Sequence, residues 1–212
     1  MRGTRPSAAS PRSRRMHTPR LADLPVTAFL ERLAATTPTP GGGSVAALAG
    51  ALAASLGRMV CGYTLGKPRF AAVAPQVQAL ADRFVRAARA LTALLDEDAA
   101  AYEVLSTALK LDKADPARPA RVAAAARLAA SVPLETAALS RAVRGDAKEL
   151  VRLGNPLLRS DAEAAAHLAD AALAAAAANV RANLPLLEAA DAAEFTAHLD
   201  ALTSRVSPPA PP

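Results

Sequence analysis

Aromatic residues, cysteine and strand-like patterns are what this chain has least of. Only 3% of its 212 residues are aromatic, and none is Trp. A β-sandwich core needs Val, Ile, Tyr and Phe, so that class is excluded. Alanine stands in their place and points to helices packed at short distance. The one cysteine, Cys61, leaves no internal disulfide and no Cys-based metal cluster. In its run of small apolar residues it reads as a buried, inert thiol. His17, His167 and His198 show no ligand spacing, so no intrinsic metal is expected. These absences predict a cytoplasmic protein.

The net charge of +6 suggests nucleic acid, but its location argues otherwise. Residues 1–20 carry six Arg and no acid; the remainder balances 19 basic against 19 acidic residues. Basic character therefore belongs to a tail, and no nucleic-acid partner is expected of the fold. The tail has no apolar core segment of the kind a signal peptide needs. It reads as disordered: its composition resembles a transit peptide, while a start at Met16 would make residues 1–15 an extension. The Pro-rich end, 207–212, reads as disordered too. One domain is expected between them, at 21–206.

Helical periods fill that domain and predict an all-α bundle of about seven helices with long central members. The first covers 21–35, with Phe29, Leu30 and Leu33 on one side. The second runs from about Ser44 to Leu65. Its uncharged run, Ser44–Gly57, is shorter than the roughly 20 residues of a membrane span, so it reads as a buried central helix and no membrane partner is expected. Ala46, Gly50 and Ala54 form a small-residue ridge for a close neighbour, in this chain or a second copy. A long helix follows at about 73–111. Another, at 120–143, should kink at Pro133. A shorter one ends at Gly154. The next, from Ser160 to about 185, opens on a Ser160/Glu163 capping box. The last spans 190–205.

Four features are chemically suggestive. The first is "PTPGGGS", residues 38–44. It lacks the preceding strand of a dinucleotide fingerprint and the Lys of a phosphate-binding loop. What remains is a glycine turn entering a helix, whose free N–H groups can hold an electronegative ligand atom. Ser44 is placed to cap the helix or reach that ligand. A tight interhelix turn accounts for the glycines equally well. The second is "LLDEDAAAYEVL", 94–105. Leu91, Leu95, Asp98, Tyr102, Leu105 and Leu109 share a face, while Asp96 falls on the polar side with Thr92 and Glu103. A carboxylate on an apolar stripe is a general acid/base candidate, or a structural Asp bonded to another helix. The third is "GNPLLRSD", 154–161, where capping alone explains Gly154 and Ser160 and Asp161 suits the helix dipole. The fourth is Asn179 and Asn183, two amides on one stripe of an Ala-rich helix, which need partners if buried: each other's neighbours, a partner subunit or a polar ligand. Lys67 and Arg69 in "GKPRF" are ordinary surface cations unless an anionic ligand passes nearby.

In this order the segments resemble the formimidoyltetrahydrofolate cyclodeaminase/methenyltetrahydrofolate cyclohydrolase family. "PTPGGGSVAALAGALAASLGRMVCGYTLGK" carries most of the likeness; "DEDAAAYEVL", "VPLETA", "GNPLLRSD" and "NVRANL" follow in sequence, over about residues 21–190. The resemblance implies an all-helical homodimer holding a tetrahydrofolate derivative in a groove between its subunits. It puts Gly41, Gly42, Gly43 and Ser44 at the ligand and makes an acid of the "DED" segment the proton carrier. Periodicity selects Asp98 over Asp96. Asn155, Ser160 and Asp161 match a binding segment, and Lys67 with Arg69 suits the glutamate tail of a folate. The pterin presents adjacent N–H donors, which suit a carboxylate: Asp161, unless it and Asp98 exchange roles. Where a Leu-Pro-Lys segment is expected, this chain has Leu111-Asp112-Lys113.

The implied chemistry needs no metal, nucleotide or other cofactor beyond the folate itself. In cyclodeamination N10 attacks the N5-formimidoyl carbon and ammonia leaves, and one carboxyl group can serve first as base, then as acid. Cyclohydrolysis of the methenyl compound is the close alternative. A non-catalytic helical dimer is the third reading, against which a carboxylate on the apolar stripe counts.

Overall fold

The computed structural model describes residues 19–204; the expectations for residues 1–18 and 205–212 lie outside them. Among the described residues every regular element is helical, and six α-helices are present: α1 (Val26–Ala34), α2 (Gly42–Thr64), α3 (Ala74–Leu109), α4 (Arg118–Leu153), α5 (Arg159–Asn183) and α6 (Ala189–Thr203). Short 3₁₀ turns at Leu21–Asp23, Pro68–Val73, Pro156–Leu158 and Leu184–Leu186 join or precede them.

Small residues build the bundle. Helix α2 lies at its centre, beside α3 and α5 and against α4. Residue pairings set the directions. Gly43 faces Asp98 and Gly57 faces Phe84, so α2 and α3 are antiparallel. Gly42 lies at Asn179 while Thr64 reaches Asn155, just before α5, so α5 also runs against α2. Gly50 meets Ser140 of α4, and Ala46 clusters with Ala137. The partner of the small-residue ridge is therefore α4 of the same chain, which runs parallel to α2. By length and composition α2 and α4 could each cross a membrane. In this fold α2 instead buries Ala47, Ala53, Ala54, Val60 and Cys61 in the core. Burial pushes the Cys61 thiol up to about 11, as an inert thiol requires.

Several local expectations change. The predicted break after Val143 is absent, and α4 is one helix through Pro133 and Gly145, giving six helices rather than about seven. Val143, Ala147 and Leu150 continue its buried stripe across Gly145, and that packing outweighs the weak propensity of one glycine. No Ser160/Glu163 capping box forms. Helix α5 already begins at Arg159, and Glu163 pairs with Arg159 one turn away. On α1 only Phe29 is buried; Leu30 is 55% exposed. Gly154 does cap α4, with an ordinary negative φ; a side chain there would meet the Leu150 carbonyl at 2.7 Å. Helix α6 closes the fold by packing Phe195 and Leu199 on Ala130, Ala177 and Val180, with Arg127 paired to Asp191 and Glu194.

Candidate functional site

One end of the bundle opens into a cleft of about 270 Å³. Its walls come from the loop before α2 (Pro38, Thr39, Gly41), the first turn of α2, Asp98 and Tyr102 of α3, Ala129 of α4, and Asn179, Ala182 and Asn183 of α5. Among the described residues, Asp98 is its only ionisable wall residue besides the Tyr102 phenol.

The glycines and Asp98 form a matched pair. A Cβ on Gly43 would lie 1.9 Å from Asp98 Oδ1 and 2.5 Å from its Cγ. No side chain fits there, so the α2 backbone meets the carboxyl directly. Ser44 does not cap the helix: α2 begins at Gly42 with Gly41 as its N-cap, and the Ser44 hydroxyl, fully buried, donates to Asp98 Oδ2 at 2.9 Å. Helix geometry leaves the first backbone N–H groups of α2 without intrahelical partners at this wall; the bonded series begins with Val45 N–H to Gly41 C=O.

Burial dominates the electrostatics. It raises the Asp98 carboxyl above its ordinary value of 3.8, while the Ser44 hydroxyl and backbone N–H pull the other way. A carboxyl so placed exchanges a proton with a neighbouring group more readily near neutrality than a solvated one. Asp96, two residues away, has other work. It accepts from the Leu21 backbone N–H at 2.6 Å and from Arg20 Nε at 3.0 Å, fastening the chain's entry to α3. The stripe predicted through Leu109 is buried only in part. Tyr102 is 44% exposed because it faces the cleft, and Leu109 is exposed as well.

Within one chain, the remaining predicted residues are not at this cleft. Lys67, Asn155, Ser160 and Asp161 gather at the opposite end of α2, about 33 Å away along its 23 residues. Asn155 is buried and occupied: its N–H donates to Thr64 Oγ1 at 2.9 Å, and its Oδ1 accepts from Leu157 N–H and Arg69. Lys67 lies 5.9 Å over the Tyr63 ring. Ser160 is exposed in the first turn of α5, and Asp161 follows it, half-buried. The cleft does gain Tyr102, to which the sequence assigns no ligand role, and Asn179 and Asn183, whose partners the sequence leaves open among neighbouring groups, a partner subunit and a polar ligand. Among the described residues no three His, Cys, Asp or Glu side chains converge as a metal site.

This arrangement has counterparts among known proteins. Over 159 residues the chain is 35% identical to the methenyltetrahydrofolate cyclohydrolase of Methylorubrum extorquens, covering 73% of this chain and 76% of that protein. Over 164 residues it is 35% identical to the formimidoyltransferase-cyclodeaminase of Sus scrofa, covering 76% of this chain but only 30% of that much longer one. A solved formiminotetrahydrofolate cyclodeaminase from Thermotoga maritima is similar in fold at a TM-score of 0.80 and 27% identity, covering 86% of this chain and 89% of that one. The family model described as formiminotransferase-cyclodeaminase matches residues 25–201. That span holds α1 to α5, most of α6 and every wall of the cleft, and by it the chain belongs to the formiminotransferase-cyclodeaminase family.

Proposed function

We propose that this protein is a folate one-carbon enzyme that converts 5-formimidoyltetrahydrofolate to 5,10-methenyltetrahydrofolate and ammonia. The observation that carries the reading is the Asp98 carboxyl, raised by burial and set against a glycine backbone in a cleft. N10 attacks the carbon of the protonated formimidoyl group, and the C=N electrons move to its nitrogen, which becomes an amine. Asp98 takes the N10 proton and returns it to that nitrogen. The C–N bond then breaks, and ammonia leaves behind the methenyl cation. Holding N10 against the carbon supplies much of the acceleration. Gly41, Gly42 and Gly43 keep the wall free of side chains, and Ser44 steadies the carboxylate form.

A second reading, methenyltetrahydrofolate cyclohydrolase, has its own support. The Methylorubrum extorquens relative of that name is matched over most of its length, as the longer formimidoyltransferase-cyclodeaminases are not. The same carboxyl would then activate water toward the methenyl carbon. Methenyl absorbance in the near ultraviolet separates the two. A rise with the formimidoyl substrate identifies the cyclodeaminase, and an enzyme-dependent fall with the methenyl substrate identifies the cyclohydrolase. No change with either, from folded protein, leaves a non-catalytic helical dimer.

The working unit in this proposal is a homodimer. The outward face of α2 supports it: Val45, Leu48, Leu52, Met59 and Tyr63 form an apolar stripe, with Leu52 53% and Tyr63 55% exposed. A two-fold axis crossing α2 at right angles would lay it antiparallel to its copy. The end of one chain bearing Lys67, Asn155, Ser160 and Asp161 would then stand beside the Asp98 cleft of the other. In that arrangement Lys67 and Arg69 meet the glutamate carboxylates of the folate tail.

A further inference from the structure

Asn179 and Asn183 are part of the cleft wall, and their amide orientation is fixed by chemistry. A carbonyl oxygen can only accept, so the amide nitrogen of each must face the carbonyl beside it. Asn183 Nδ2 donates to Ala129 C=O at 3.0 Å and to Asn179 C=O at 3.1 Å, using both hydrogens. Asn179 Nδ2 donates to Ala175 C=O at 2.9 Å. What remains on both residues is an acceptor oxygen, Oδ1, with no hydrogen-bond partner among the described residues.

Structure alone explains Asn183, which ties α5 to α4. It does not explain Asn179. The one bond the Asn179 side chain makes joins it to its own helix, in a segment that is otherwise mostly alanine, the strongest helix former. Its amide also crowds the α2 N-terminus: a Cβ on Gly42 would lie 3.1 Å from Nδ2 and 3.4 Å from Oδ1. A polar group that weakens its own helix, joins no second helix and faces an open cleft next to Asp98 is placed for a ligand.

We propose that Asn179 and Asn183 are the acceptor pair that reads the donor edge of the bound ring, the adjacent ring N–H and exocyclic amino group of a 2-amino-4-oxopyrimidine. This rests on the folate reading above. It assigns to the wall of the cleft itself the edge that the resemblance gives to Asp161, which in the same chain lies 18 residues before Asn179 on α5, about 27 Å away. The two asparagines thus orient the pterin, while Asp98 is left for the one-carbon unit.

The test uses 5-formyltetrahydrofolate, which does not turn over, and its analogue with methyl in place of the 2-amino group. Calorimetry gives both affinities for the wild type, Asn179→Ala and Asn183→Ala. The wild type should bind the parent at least about tenfold tighter than the analogue, because the analogue leaves an acceptor unpaired. Each variant should bind the parent about tenfold less tightly, and the one whose amide meets the 2-amino group should discriminate only two- to threefold. Asn179→Ala removes no interhelical bond and keeps the fold, so it carries the test if Asn183→Ala unfolds. Variants that bind the parent as tightly as the wild type does, or that both keep the wild-type ratio, overturn the acceptor pair and leave the folate reading standing. A wild type that binds neither compound overturns the folate reading itself.

Discussion

Three glycine-to-alanine changes separate catalytic geometry from stability. At Gly43 the new methyl would sit 1.9 Å from Asp98 Oδ1, against 3.4 Å or more for ordinary contact. The carboxyl must retreat by about 1.5 Å, and it then loses its 2.9 Å bond from Ser44. A displacement near 1 Å at a reacting group costs about 100-fold in rate. The stability cost is smaller. Overpacking of this kind costs about 1–3 kcal/mol, and exchanging glycine for alanine inside a helix returns up to about 1 kcal/mol. Gly57→Ala reverses the pattern. Its methyl would meet the Phe84 ring at 2.6–2.8 Å, and Phe84 is fully buried with nowhere to move. Here the melting temperature should fall further while the Asp98 cleft, four turns away, keeps its geometry. Gly145→Ala meets nothing within 4 Å and should gain stability with activity unchanged. Thermal denaturation and methenyl absorbance on all three decide the matter. Near-normal turnover by Gly43→Ala would refute the placement of Asp98 at the reacting centre. A loss of activity in Gly57→Ala equal to that in Gly43→Ala would show that the two sites are not separable.

Three further outcomes are expected. Asp98→Asn should abolish turnover yet melt higher than the wild type at neutral pH. The raised carboxyl binds its proton more tightly folded than unfolded, so ionising it costs stability. That cost is absent below 3.8 and complete above the raised value, so the gap between variant and wild type should open as pH rises through this window; melts at pH 3.5 and 8 with equal gaps would contradict it. Ser44→Ala removes a bond that favours the ionised carboxyl, so the acid limb of the kcat/KM profile should move to higher pH; an unmoved limb would exclude Asp98 as its origin. Leu52→Glu with Met59→Glu on the outward face of α2 should halve the mass seen by light scattering and reduce activity without lowering helix content; an unchanged mass would place the interface elsewhere.

Legibility of this protein in its sequence depended on whether a residue's partner was near in the chain. Asp98 could be distinguished from Asp96 because the choice needed only the helical period of α3. The triple glycine announced a close approach but not what approached, since Asp98 lies 55 residues beyond Gly43. The Ser44 hydroxyl was open between helix cap and ligand; it does not cap α2 and donates instead to Asp98. Burial beside a carboxylate offered it a stronger acceptor than the α2 backbone. The seventh helix failed for the same reason in reverse: Gly145 is a local signal, overridden by contacts of Val143, Ala147 and Leu150 that only the folded bundle supplies. The Asn155 segment is more instructive. Its Gly, Asn, Ser and Asp look like one binding cluster when read as a string. Folded, Asn155 is consumed by Thr64, Leu157 and Arg69, and the segment stands at the far end of α2 from the carboxyl. Residues that share a motif need not share a site within one chain. If they do act together, the antiparallel second copy is the arrangement that brings them to one ligand, so the α2 face and the Asp98 cleft are one question rather than two.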